Sequence, residues 1–172
     1  MTLPEFLDKM NADLKNEWTH LQFYLYHAAA VAGLHAEEYS EFLSDAAKGE
    51  MDHVLAFTRR LFGLAYKQPA ADGHVFPKFV LVEDILAHAI LIESEVADNY
   101  ARRLSEIDEL RAAHPTTAAY LTIFYEDQLK DSYEDCEKMR QIMASDGIAI
   151  ARLTRPFKSV ARGTPSGYPD EQ

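Results

Sequence analysis

The punctuation of this chain constrains its fold more than any single motif does. Four stretches of about 30 residues carry apolar side chains with helical period, and the breaks between them are short, long and short. Pro4 suits the first turn of a helix opening at Thr2 or Leu3, and the periodicity holds to Gly33. The second stretch runs from about 37 to 62 and stops near Gly63. "YKQPAADGHVFPKF" then breaks all periodicity with two prolines and a glycine. A third helix is expected from about Val82 to Ala113, closed by His114-Pro115, and a fourth from about Thr116 to Ser145, closed by Asp146-Gly147. β-branched alternation is nowhere sustained, so no sheet is expected. Each helix would be roughly 45 Å long at 1.5 Å per residue. Short turns make two antiparallel hairpins, and the roughly 18 residues between them suffice to travel the length of a bundle. The expected fold is all-α: a four-helix bundle of two hairpins joined by one long crossover, over residues 1–146. Residues 147–172 form an extension, expected as a short helix before Pro156 and as disorder beyond Gly163.

Composition narrows the function classes. The 172 residues, 48% hydrophobic, fit one domain with a sizeable core. No apolar run approaches the ~20 residues that span a bilayer, and "MTLPEFLDKM" lacks the basic flank and apolar run of a secretory signal. The lone Cys136 excludes an intrachain disulfide and points to a reducing cytoplasm; it reads as a small apolar filler. A net charge of −11 argues against nucleic acid as a partner and is compatible with attracting cations. The charge is uneven, because 147–172 hold four basic residues against two acidic ones.

Each long helix places a glutamate where its apolar stripe should run. Glu17 lies with Leu14, Leu21 and Tyr24; Glu50 with Leu43, Ala46, Phe57 and Leu61; Glu93 with Leu86, Ile90, Ala97 and Tyr100; Glu126 with Ala119, Thr122, Leu129 and Tyr133. A buried, unpaired carboxylate costs several kcal/mol, so four of them need a reason. Their spacing offers one. Glu17 to Glu50 and Glu93 to Glu126 are each 33 residues, and a tyrosine follows Glu17 and Glu93 by seven, at Tyr24 and Tyr100. The hairpins thus read as a degenerate repeat about a pseudo-twofold axis that would bring the four glutamates to one level. Facing carboxylates repel unless cations neutralise them, and two metal ions are the economical explanation. The competing explanation is a set of surface glutamates brought inward only by the assumed helix phase. Glu50 and His53 form Glu-x-x-His, one turn apart on one face, a spacing equally open to a solvated polar pair.

Taken together, a glutamate on helix one, Glu-x-x-His on helix two and glutamates on helices three and four resemble the ligand frame of ferritin-like dinuclear-iron proteins. The positions 17, 24, 50, 53, 93 and 126 are most similar to bacterioferritin and its non-haem ferritin relatives, over about residues 5–145. The resemblance implies iron oxidation by O2 or H2O2 at a dinuclear Fe(II)/Fe(III) site, and storage of ferric mineral in a hollow homo-oligomer of 24 or 12 subunits. It implies that Glu17 and His53 are terminal ligands of one iron and that Glu50 bridges both. Glu93 would serve the second iron, with Glu126 bridging or terminal, and Tyr24 would hydrogen-bond a ligand and supply an electron. Hard carboxylates with imidazole suit iron or manganese, and the lack of cysteine ligands disfavours a thiolate zinc site.

The sequence departs from that frame at two places. Bacterioferritins and rubrerythrins carry a second Glu-x-x-His on helix four, whereas Leu129 follows Glu126 by three; Gln128 is about 200° around the helix and is expected to face elsewhere. His20, three after Glu17, makes an extra Glu-x-x-His on helix one. It reads either as a hydrogen-bonded histidine near the bundle edge or as a ligand restoring the imidazole that helix four has lost. Met51 occupies the position at which bacterioferritins offer a methionine to haem across a subunit twofold, with interface packing the favoured reading. Glu95 is expected on the surface, and His27, His35, His74, His88 and His114 form no ligand cluster, although His88 could lie in the core above the site. Outer-face aromatics Trp18, Phe23, Tyr26 and Tyr39 suggest faces covered by neighbouring subunits. Three alternatives compete with the cage ferroxidase. A metal-free bundle acting as scaffold is separated by iron content, a rubrerythrin-type peroxidase lacks its Cys-x-x-Cys module here, and a mini-ferritin places its ligands between subunits.

Overall fold

The computed structural model describes residues 1–145, so the expected extension over 147–172 lies outside the described residues. Four helices make up the bundle: α1 Leu3–Ala30, α2 Ala36–Gly63, α3 Val82–Leu110 and α4 Pro115–Ser145. Thr2 caps α1 reciprocally: the Glu5 amide donates to Thr2 Oγ1 at 3.4 Å, and the Thr2 amide donates to Glu5 Oε2 at 2.7 Å. α2 stops by a different device from the glycine the sequence offers. Gly63 is its last helical residue, and Ala65 takes the left-handed conformation at φ 62°. The Ala65 and Tyr66 amides then donate to the Phe62 and Leu61 carbonyls, the hydrogen-bond pattern of a Schellman cap built without glycine.

The α1–α2 turn uses Gly33 (φ 121°) and His35 (φ 70°) to reverse the chain. The crossover, 64–81, runs back along α1. It is pinned by Tyr66 donating to Asp8, the Ala70 amide to Asn11, Trp18 Nε1 to the Ala70 carbonyl, the His74 amide to Thr19, and the Phe79 amide to His27 Nε2. At Gly73 the contact is so close that a Cβ would sit 2.6 Å from the Thr19 backbone nitrogen. The only bridge outside the helices among the described residues joins Ala32 to Leu81, where the crossover returns to the α1–α2 turn. α3 therefore starts at the same end of the bundle as α2, and α4 runs parallel to α1.

Two apolar cores fill the bundle ends. Phe6, Met10, Leu14, Phe57, Leu61, Ile107, Phe124 and Tyr125 occupy one; Leu21, Phe23, Leu43, Ile85, Leu86 and Met139 occupy the other. Fully burying each such side chain is worth about 1.5–3 kcal/mol. Phe23 and Tyr39 belong to this interior, a correction to their expected place on the outer face; Phe76 of the crossover packs edge-on against Phe23. Trp18 is half-buried beneath the crossover, and Tyr26 alone of the four is exposed. Cys136 is buried against Ser94 and the Ile90 carbonyl, as a small filler should be. Between the two cores lies a belt of polar side chains.

Candidate metal centre

The belt is built from one or two helical turns of each strand of the bundle. On α1, Glu17, His20 and Tyr24 recur at three- and four-residue steps and so share one face. α2 adds Glu50 and His53 by the same rule, and α3 adds Glu93 and, seven residues on, Tyr100. Glu17, Glu50 and Glu93 are each no more than 2% exposed. Their ligand atoms gather into two groups, Glu17–Glu50–His53 and His20–Glu50–Glu93, with the atoms of each group lying within 4.8 Å of one another. Glu50 belongs to both.

Contacts across the belt follow the pseudo-twofold axis read from the sequence. Tyr24 donates to Glu93 Oε1 at 2.8 Å, and Tyr100 donates to Glu17 Oε1. Each tyrosine thus fixes the glutamate of the opposite hairpin. His53 Nδ1 lies 3.1 Å from Glu17 Oε2 and 3.5 Å from Glu50 Oε2, and His20 Nδ1 lies 3.4 Å from Glu93 Oε1. The arrangement leaves buried polar atoms without hydrogen bonds: His20 Nδ1 and Glu50 Oε2. A native core seldom tolerates such orphans unless something else is meant to meet them.

Charge within the belt is balanced by protons. Burial opposes ionisation of His20 and of His53, but the glutamates around them win and raise the two to about 9 and about 11. Burial also pushes Glu17 up, yet its hydrogen bond and attraction to His53 hold it below the usual carboxylate range. Glu50 has the weakest hydrogen bonding, and burial plus repulsion from Glu93 and Glu17 drives it well upward. A divalent cation would replace those protons with charge the glutamates can bind, so the donor set fits hard metal ions.

Beneath the belt, Asp13 is buried and held by Arg103 through two hydrogen bonds of 2.9 and 3.0 Å, and it accepts from Tyr125 at 2.9 Å. His27, two turns from His20, is a structural histidine: its Nδ1 donates to the Phe23 carbonyl at 2.8 Å while Nε2 accepts from Phe79. The rings of Phe23 and Phe79 also flank His88, which is half-buried above the belt rather than in the core.

α4 corrects the sequence reading. Glu126 does not join the glutamates; it is exposed in a shallow outer groove with Ala97, Asp98, Ala101 and Leu129. The reason is register. α1 continues 13 residues beyond Glu17, whereas α3 continues 17 beyond Glu93, so equal sequence spacing does not return the chain to the same level. Phase is also wrong: the buried stripe runs through Leu121, Tyr125, Gln128, Ser132, Cys136 and Met139. Gln128, expected to face elsewhere, is buried with Oε1 unpartnered. α4 reaches the belt instead through Asp131, whose Oδ2 is 3.7 Å from His53 Nε2, and through half-buried Asp135. Burial and then the charge of Glu93 push the Asp135 carboxyl upward. The four-three spacing of Leu121, Tyr125, Gln128 and Ser132 was the signal for this phase. Met51 is 40% exposed on the outer face, away from the belt.

Comparison with known proteins agrees with this architecture. A model described as a ferritin-like domain matches residues 7–141. The fold is similar to that of a ferritin-like, diiron-carboxylate protein from Bacillus anthracis, with a TM-score of 0.74 and 21% identity over 83% of this chain and 99% of that one. It is also similar to a dodecameric thioferritin from Bacteroides fragilis, a bacterioferritin-related protein, with a TM-score of 0.60 and 16% identity over 84% of this chain and 92% of that one. No curated protein matches the chain.

Proposed function

The chain belongs to the ferritin-like domain family, and from that premise we propose that it binds two Fe(II) ions in the belt and oxidises them to Fe(III). The observation that carries this reading is the pair of ligand groups sharing Glu50. Glu17 and His53 hold one ion, Glu93 serves the other, and Glu50 lies between them. Iron is the substrate. Two ferrous ions give two electrons to one O2 with two protons, yielding two ferric ions and H2O2; with H2O2 as oxidant the product is water. The protein supplies orientation: Tyr24 and Tyr100 lock Glu93 and Glu17 by hydrogen bonds to one oxygen of each, and the second oxygen of Glu17 faces its partner ligand His53 at 3.1 Å. Tyr24 lies beside the pair and acts through its hydrogen bond to Glu93. Glu126, on the outer face, has no part in holding the pair.

The ferric product is stored in the cavity of a closed homo-oligomer of 12 or 24 copies. The dodecamer formed by the Bacteroides neighbour supports assembly, as do the exposed apolar side chains Met51, Leu55, Tyr120 and Ile123 on the outer faces of α2 and α4. Met51 packs at such an interface in this reading, without haem. No described helix is long and apolar enough to cross a membrane; with one unpaired cysteine, a cytoplasmic setting fits. The test is aerobic Fe(II) addition to apoprotein, followed in the near ultraviolet, beside Glu50→Ala. Rapid oxidation saturating near two irons per chain, lost in the variant, is the expected result. A rate no faster than buffer would return the bundle to the scaffold class.

A further inference from the structure

His20 separates itself from the other buried histidine on α1. Both are at most 3% exposed, but His27 has a hydrogen-bond partner at each ring nitrogen, one carbonyl and one amide. His20 Nδ1 has none. It points instead into a group with Glu50 and Glu93, 3.4 Å from Glu93 Oε1 and within 4.8 Å of the Glu50 donor atom. Glu50 Oε2 is likewise unpartnered. That Glu50 oxygen lies 3.5 Å from His53 Nδ1, so Glu50 stands between the two histidines with a donor atom in each group.

α4 has no histidine anywhere in its length, so an imidazole for the second ion can come only from another helix. The side chains α4 turns toward the belt are an amide, a hydroxyl and two aspartates: Gln128, Ser132, Asp131 and Asp135. We infer that His20 is the imidazole ligand of the second metal ion, supplied from α1 in place of the fourth helix. This rests on the dinuclear reading above. The consequence is an asymmetric centre. Each ion has one imidazole, one terminal glutamate and a share of Glu50: His53 and Glu17 for the first, His20 and Glu93 for the second. α1 contributes to both ions, and the side of the second ion facing α4 is left with only weak or carboxylate donors. That side is where water, the oxidant or an exchanging ion enters the coordination sphere.

The experiment is anaerobic Co(II) titration of the apoprotein, read by visible d–d absorption and by metal content after gel filtration, for the native chain, His20→Ala, His20→Gln and Glu50→Ala. Two Co(II) per native chain and one per His20 variant is the expected result, with the absorption of the first ion retained. Added imidazole should restore the second ion in His20→Ala, which a purely packing role for His20 would not do. Two ions with unchanged spectra in both His20 variants would overturn the assignment and leave the dinuclear reading standing. No Co(II) bound by the native chain would overturn both. His20→Gln keeps the volume and guards against a folding defect, which circular dichroism reports directly.

Discussion

Glu50 should be a residue the metal-free protein is better off without. It is 2% exposed, its Oε2 has no hydrogen bond, and Glu17 and Glu93 oppose its ionisation. Leaving a buried polar atom unsatisfied costs about 1–3 kcal/mol, and the neighbouring carboxylates add to that cost. Glu50→Gln is nearly isosteric, cannot ionise and introduces an amide that can donate to Glu17 or Glu93. The metal-free variant is therefore expected to be more stable by about 1–3 kcal/mol, which for a chain of this size raises Tm by roughly 3–10 °C. Metal reverses the order. An ion at 100 times its Kd stabilises the native chain by about 2.7 kcal/mol, and the variant, lacking the shared ligand, gains little of this. Thermal unfolding followed by circular dichroism, with EDTA and then with excess Co(II), measures both arms. A metal-free Glu50→Gln less stable than the native chain would refute the reasoning. It would mean that the 3.5 Å approach of Glu50 to His53 is a stabilising ion pair and that the carboxylate is there for the fold.

Three further outcomes follow from the surrounding structure. Arg103→Ala strands the buried Asp13 carboxylate and should cost about 3–5 kcal/mol in urea unfolding; adding Asp13→Asn should recover at least about 1 kcal/mol, and strictly additive losses would rule out the coupling. Ala65→Gly should stabilise by about 0.5–1 kcal/mol, because Ala65 pays the left-handed cost that glycine avoids at the α2 cap. His27 is held below its ordinary 6.5, chiefly by burial, so the unfolded chain takes up its proton more readily. The His27 contribution to stability should accordingly fall as pH drops below about 6.5, and His27→Gln should remove that component; His88, lowered to about 4, contributes with the same sign, whereas His20 and His53, raised to about 9 and about 11, contribute with the opposite sign as pH rises above 6.5.

Most of the bundle was legible because three helices obey a simple rule: inward positions are apolar except where chemistry needs otherwise. On α1, α2 and α3 the belt residues Glu17, His20, Glu50, His53 and Glu93 stand out against Leu14, Leu21, Leu43, Phe57, Leu86 and Ile90, whereas Asp13 and His27 on α1 are buried and polar for structural reasons. α4 breaks the rule in both directions. Its inward face carries Gln128, Ser132 and Cys136, while Tyr120, Ile123 and Tyr133 are each about half exposed. Hydrophobicity therefore pointed the helix the wrong way round, and the coincidence of two 33-residue spacings confirmed the error. The two differing helix lengths beyond Glu17 and Glu93, set by where the chain turns, could not be recovered from local pattern. Nor could the orientation of Phe23, which depends on the path of the crossover.

The misread helix bears on how the centre works. A binding belt made only of acids would hold itself open by repulsion and collapse around the first available cation, with geometry set by the ion. Here the acids are held before any ion arrives. Tyr24 and Tyr100 reach across to the glutamate of the opposite hairpin, and the protonated histidines offset the negative charge at short range. Both tyrosines are buried, and their hydroxyls are pushed well above 10, so they remain donors throughout the physiological range. Three sides of the centre are thus fixed by phenols, imidazoles and packed helices. The fourth side, α4, carries no histidine and presents half-buried Asp135 and Asp131, the latter 47% exposed. On the proposed dinuclear reading, ions exchange through this α4 side of the belt.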